Sequence, residues 1–141
     1  MSAELQIQGA VITALKANGT LTAMLATTTS IYDNVPEVAD SGDSSAFPYV
    51  VIGDDTSIPF DADDTDGFEA TITVHTWSRT ATHKQAKQII GSIYDSLHKT
   101  ELVVTGYNTV LVLYEFSTTE KDPDGITIHG IQRFRIIITE E

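Results

Sequence analysis

No cysteine occurs anywhere in the 141 residues. That excludes a disulfide framework, a thiol nucleophile and a thiolate metal site, and suits a reducing compartment. No stretch approaches 18 uninterrupted apolar residues, so no membrane helix is expected. The first 19 residues, MSAELQIQGAVITALKANG, carry neither a basic leader nor a continuous apolar segment, and a secretory signal is not expected. Positive charge is the scarcest resource. Between Lys16 and Arg79 there is none, while that stretch holds eleven carboxylates: Asp33, Glu37, Asp40, Asp43, Asp54, Asp55, Asp61, Asp63, Asp64, Asp66 and Glu69. The rest of the chain is nearly balanced, so almost all of the net charge of −12 arises there. Such a field repels nucleic acid, acidic surfaces and other copies of the chain. Duplex DNA should bind poorly, because few cations are available to displace its counterions.

What is present suits one ordinary domain, 1–141, able to bury roughly 70% of its unfolded surface. Residues 3–17 read as a helix with Leu5, Val11, Ile12 and Leu15 near one face. Asn18-Gly19 reads as its stop, and Thr20 as the cap of a short helix at 21–26. Ile31–Pro36 is a short extended piece. Phe47–Gly53 (FPYVVIG) is a strand, with Pro48 at its first residue or on a sheet edge. Residues 54–67 (DDTSIPFDADDTDG) read as a long acidic loop, of a length usually functional or mobile. Phe68–Ser78 alternates, with Ile72 and Val74 on one face and His75 and Trp77 on the other.

A helix over 82–98, capped by Thr80 or Thr82, carries Ala86, Ile89, Ile90, Ile93, Tyr94 and Leu97 as its apolar stripe. A short strand is expected at 102–105. Residues 109–117 are apolar on both faces, as in a central strand. They join 126–138 through a hairpin, residues 118–121 extending its loop and Asp122-Pro123-Asp124-Gly125 forming a type I turn. The fold class that follows is α+β: a mainly antiparallel curved sheet packed against helices, with 82–98 the principal one.

Tests for chemistry are mostly negative. With Gly67 at the sixth position of a calcium loop, Asp66 and Asp64 fit, but Ala62 and Thr73 stand where two more ligands belong. A solvated acidic loop is the favoured reading, with an ion-binding module the alternative. His75, His83, His98 and His129 form no close metal-binding pair, and no nucleophile elbow or phosphate loop appears. No catalytic residue, cofactor or metal is expected. Trp77, the only tryptophan, either packs under its own chain or meets a neighbour. Ile58 and Phe60, apolar within an acidic segment, suggest docking.

The ordered series Ile31–Pro36, Phe47–Gly53, His75–Arg79, the helix around Ala86–Ile89 and Ile93–Leu97, Asp122–Gly125, His129-Gly130 and Arg133–Arg135 covers about residues 30–135. In this order it resembles the tail-completion family of long-tailed bacteriophages and gene transfer agents, called tail terminator or tail-to-head joining proteins. The resemblance implies a structural virion protein without enzymatic activity, located in the virion tail or neck and assembled in the host cytoplasm. It implies a homohexameric ring that caps the tail tube, ends its polymerisation and joins the head connector. A neck or connector ring protein of similar fold is the runner-up. On this reading DNA passes without specific binding. Asp61, Asp63, Asp64 and Asp66 would line the channel or contact the tube, and Ile58, Phe60 and Trp77 would meet a neighbouring subunit.

Overall fold

The structure, a computed structural model, describes residues 3–34, 44–59, 61 and 65–141. Helix α1 (Ala3–Lys16) buries Ala3, Ile7, Ala10, Val11 and Leu15, a stripe at three- and four-residue steps. Leu5, expected in that stripe, lies two residues from Ile7 on the other side of the helix and is 61% exposed. Helix α2 (Gly19–Met24) follows at once.

Asn18, read from sequence as a helix stop, does more than end α1. Its Oδ1 accepts from Leu21 N at 3.1 Å and caps α2. Its Nδ2 donates to Ser92 O at 3.2 Å, Ser92 Oγ at 3.1 Å and Ser96 Oγ at 2.7 Å. One amide thus ties two helices to a third, α3 (Lys84–Leu97). Asn18→Ala removes a cap and strands partly buried acceptors. The expected loss is about 2 kcal/mol, read as a lower denaturant midpoint at unchanged slope.

The sheet is open and curved. Its five strands are β1 (Ile31–Tyr32), β2 (Tyr49–Pro59), β3 (Gly67–Ser78), β4 (Tyr107–Lys121) and β5 (Ile128–Glu140). They run in the order β1-β2-β3-β5-β4, with β1 parallel to β2 and every other pair antiparallel. The α+β class read from the sequence is correct. Three helices cover one face only. Val50, Ile52, Ile72, Val74, Val112, Phe134, Ile136 and Ile138 turn inward there, against Ile7, Val11 and Leu15 of α1 and Ile89, Ile93 and Leu97 of α3. Where α3 crosses β5 there is no room for a side chain. A Cβ on Gly130 would stand 2.9 Å from Ile90 Cδ1 and 3.3 Å from Thr76 Cβ.

Five expectations are corrected. Residues 54–59 are not loop: they continue β2 past a bulge between Gly53 and Thr56, and Thr56–Pro59 pair with Phe68–Thr71. Residues 118–121 are likewise strand. Residues 102–105 form no strand; Leu102 and Val104 plug the core while Val103 is 88% exposed. And β4, apolar on both sides, is an edge strand. Its outward Leu111 and Phe116 are exposed, and among the described residues no second layer covers them. Thr80 and Thr82 do not cap α3. His83 holds the cap position without a side-chain cap bond, and its Nδ1 pairs with Thr119 Oγ1 at 2.7 Å.

The β4–β5 hairpin closes as expected. Gly125 N donates to Asp122 O at 3.0 Å, with Gly125 at φ 78°. Asp124 accepts from Ile126 N, Thr127 N and Thr127 Oγ1 at 2.9, 2.8 and 2.6 Å. Those bonds to Thr127, with the Ile126 amide, lower its carboxyl to about 2.

Candidate assembly surfaces

The face of the sheet away from the helices carries the outward residues of β2, β3, β5 and β4. Tyr49 and Val51 form a small second cluster there, with Tyr32, Ala46, Phe47 and Trp77 packed against it. An aromatic row runs across the strands. Tyr32 meets Tyr49 edge-on at 6.1 Å, Tyr49 stacks toward Trp77 at 6.5 Å, and Trp77 lies flat on His129 at 3.9 Å. The guanidinium of Arg79 caps the row, 4.4 Å above Phe47. Trp77 is therefore half-buried against its own chain on the face away from the helices, where alternation placed it.

Beyond the row comes a polar chain. His129 Nε2 and His75 Nδ1 are 2.8 Å apart, and His75 Nε2 is 2.9 Å from Asp54 Oδ2. Asp54 sits in the β2 bulge with a left-handed φ of 50°. Asp33, Asn34, Val51, Gly53 and Trp77 complete a shallow cavity around these groups. Burial depresses the pKa of His129 below its usual 6.5, and the neighbouring His75 adds to the effect. Sequence reading put both histidines on strand faces making ordinary hydrogen bonds. It missed their pairing, because only the β3–β5 register, which sets His129 opposite Trp77, brings them together.

Further along this face the charges are paired. Arg135 bridges Glu69 at 3.2 Å and Glu115 at 3.5 Å, and Arg133 lies over the Phe116 ring at 5.1 Å. Leu113 stands opposite Arg135, with the Leu111–Ile137 pair on one side of these groups and Ile131 on the other.

Of the acidic candidates, Asp61 and Asp66 lie at one end of the sheet. Asp61 is exposed, and its Oδ1 accepts from Gly67 N at 3.1 Å, bracing the β2–β3 connection. Asp66 is also exposed, and its carbonyl accepts from Glu140 N at 2.8 Å. The chain end, Glu140-Glu141, therefore adds to the same negative pole. Ile58, on the extended part of β2, is 55% exposed. Asp63, Asp64 and Phe60 lie outside the described residues, as do Val35 and Pro36. Among the described residues no cluster of three metal-ligating side chains occurs, and no helix is long and apolar enough to cross a membrane.

Two layers, with helices on one side of the sheet and, among the described residues, no helix on the other, define a subunit of the open α+β kind. Residues 9–139 match the family "Tail completion protein gp17", and the chain belongs to that family, whose members are structural proteins of the virion tail. The tail completion protein gp17 of Bacillus phage SPP1 is 32% identical over 109 residues, 77% of this chain and 81% of that protein. The solved structure of SPP1 gp17 aligns with a TM-score of 0.57 at 27% identity, covering 92% of this chain and 86% of that one. A chain from the virion of a native gene transfer agent particle has the same fold: TM-score 0.84 over 98% of both chains, at 20% identity.

Proposed function

We propose that this tail completion protein acts as a terminator ring. Six copies close on the end of the tail tube, stop its polymerisation and present the docking surface for the head connector. The observation that carries the reading is the pairing of family membership with the apolar side chains of Ile58, Leu111 and Phe116, exposed on the outward face of the sheet. Ile58, Phe60 and Trp77 are the proposed contacts between subunits, with Leu111 and Phe116 extending that apolar surface. The negative pole at Asp61, Asp63, Asp64 and Asp66 faces the channel or the tube, where like charge keeps passing phosphates from sticking. DNA then travels through without specific binding, and assembly takes place in the host cytoplasm.

The test is mass under native conditions, followed by electron microscopy of mixtures with tail tubes. A sixfold species seated on tube ends is expected. A chain that stays monomeric with tubes present overturns the proposal. A ring that ignores tubes and binds portal complexes instead transfers the role to the neck.

A further inference from the structure

The two outer strands of the sheet, β1 and β4, present edges that correspond. The pairings run straight across. Ile31 shares a row with Val50, Thr76, Gly130 and Thr119, and Tyr32 shares the next with Val51, His75, Ile131 and Thr118. β4 runs antiparallel to β1. Each edge also has a parity. Lys99 N donates to Val112 O at 2.8 Å and Tyr114 N donates to His98 Nδ1 at 3.1 Å, so Val112 and Tyr114 turn their backbone groups away from β5. The bulge between Tyr114 and Phe116 adds one residue and moves the outward set to Ser117 and Thr119. Asp122 N, which reaches inward to Thr127 O at 2.8 Å, keeps the same alternation. On β1, Val50 N donates to Ser30 O at 3.0 Å, so Ile31 and Asp33 are the residues that face out. Ile31 N turns back to Thr29 O at 2.8 Å. Among the described residues no backbone bond reaches the outward groups of Ser117, Thr119 or Asp33, nor the carbonyl of Ile31.

The profiles of the two edges fit as well. Along the first half of β4 the chain after α3 lies against the strand: Lys99 N holds Val112 O, and Thr109 Oγ1 donates to Leu102 O at 2.7 Å. On those same rows stands the acidic arm of β2, Thr56–Pro59, which among the described residues pairs only with β3, since β1 reaches no further than Val51. One edge is thick where the other is thin. The side chains agree. Thr118 and Phe116 share the outward face with Tyr32, and Leu111 and Ile58, 37% and 55% exposed, lie on one row of that face at opposite edges. So do the charges. Lys99 is exposed and makes no ion pair among the described residues. It lies beside Val112, whose row ends at Ser57 on the opposite edge, next to the Asp54-Asp55 bulge.

We propose that copies of this chain join by continuing the sheet: β4 of one copy lies antiparallel against β1 of the next, with Thr119 beside Ile31 and Ser117 beside Asp33. The bonds that close the joint run from Thr119 N to Ile31 O, from Ser117 N to Asp33 O and from Asp33 N to Ser117 O. Phe116 then extends the neighbouring copy's aromatic row beyond Tyr32. Leu111 comes toward Ile58 of that copy, and Lys99 toward its Asp54-Asp55 bulge. Each copy uses two different edges, so the contact is head-to-tail, the kind that closes a ring. The joint rests on the ring reading above and gives it a mode of contact. It also covers both open edges, which a lone subunit leaves as a template for unwanted pairing.

The chain has no cysteine, so Asp33→Cys combined with Ser117→Cys reports on this joint alone. Within one copy the two positions lie on opposite edges of the sheet, four strand spacings or roughly 19 Å apart. Across the joint their Cα atoms stand about 5.5 Å apart, within reach of a disulfide. Under a mild oxidant, with tail tubes present, the double variant should give a ladder of covalent oligomers that ends at the ring. Neither single variant should go beyond dimers, and Thr29→Cys with Ser117→Cys, out of register, should give no ladder. Ser117→Pro removes one bond of the joint and blocks the edge, yet spares the bonds to β5. Its assembly should need about tenfold more protein or worse, at an unchanged urea midpoint. Rings of the usual mass that give no ladder overturn the joint and leave the ring standing. So does an out-of-register pair that cross-links equally well, or a Ser117→Pro chain that assembles as the natural one does. A natural chain that stays monomeric with tubes present fails the ring itself and takes the joint with it. If Ser117→Pro does not fold, the cysteine pair decides, since both positions are exposed.

Discussion

Phe134→Ala is expected to remove about 3–5 kcal/mol of stability, a large part of the 5–15 kcal/mol that holds a domain this size together. Phe134 is fully buried on β5, between β3 and β4, opposite Ile72 on one side and Tyr114 on the other. Its ring meets Tyr114 edge-on at 5.9 Å. Truncation empties a site inside the core cluster shared with Ile72, Val112 and the α3 residues Ile89 and Ile93, so a cavity cost adds to the transfer cost. Phe116 on β4 supplies the internal control. It lies on the bare face, is 41% exposed, and touches chiefly the Arg133 guanidinium. Its replacement by alanine should change the isolated subunit by no more than about 1 kcal/mol. Urea midpoints of the two variants test the contrast directly. Equal losses would mean that the outer face is packed in solution.

That contrast marks what could be read in advance. The strand at Phe68–Ser78 and the helix over 84–97 were legible because each buries a single face, and period two or three-to-four shows in the residues themselves. The Asp122–Gly125 turn was legible because its chemistry is local. The extension of β2 was not. Asp54-Asp55-Thr56-Ser57 has neither alternation nor β-branched enrichment, and it is extended because β3 lies beside it. β4 misled for the opposite reason. Apolar residues on both faces read as a strand covered on both sides, whereas Leu111 and Phe116 face outward on an edge. The site shows the same divide. Trp77 could be assigned to a face by alternation alone, but the contact of His75 with His129 depends on a register across 54 residues of chain. Asn18, legible as a helix boundary, gave no sign that its amide would reach Ser92 and Ser96, 74 and 78 residues away.

If Asp61, Asp63, Asp64 and Asp66 are replaced together by asparagine, assembly at low ionic strength should strengthen while the subunit stays folded. The fold should survive because the one described structural bond in the set, Gly67 N to Asp61 Oδ1, needs an acceptor oxygen that asparagine retains. Assembly should respond because the proposed ring brings copies of one negative pole together, with Glu140 and Glu141 adding to it. Two unit charges about 10 Å apart in water repel by about 0.4 kcal/mol, so a dozen such pairs oppose closure by about 5 kcal/mol when unscreened. At 0.01 M salt the Debye length is about 30 Å and most of that repulsion acts; at 0.15 M it is about 8 Å and most is gone. The natural chain should therefore assemble more readily as salt rises. The variant should assemble at 0.01 M at concentrations lower by roughly 10- to 100-fold, since each 1.4 kcal/mol is a factor of ten, and the two should converge at high salt. Sedimentation across ionic strength measures both curves. If the natural chain's assembly weakens as salt rises, attraction between unlike charges holds the copies together and the negative pole is not the barrier to closure. If the variant unfolds instead, the aspartates build the arm, and their place in a channel is lost with it.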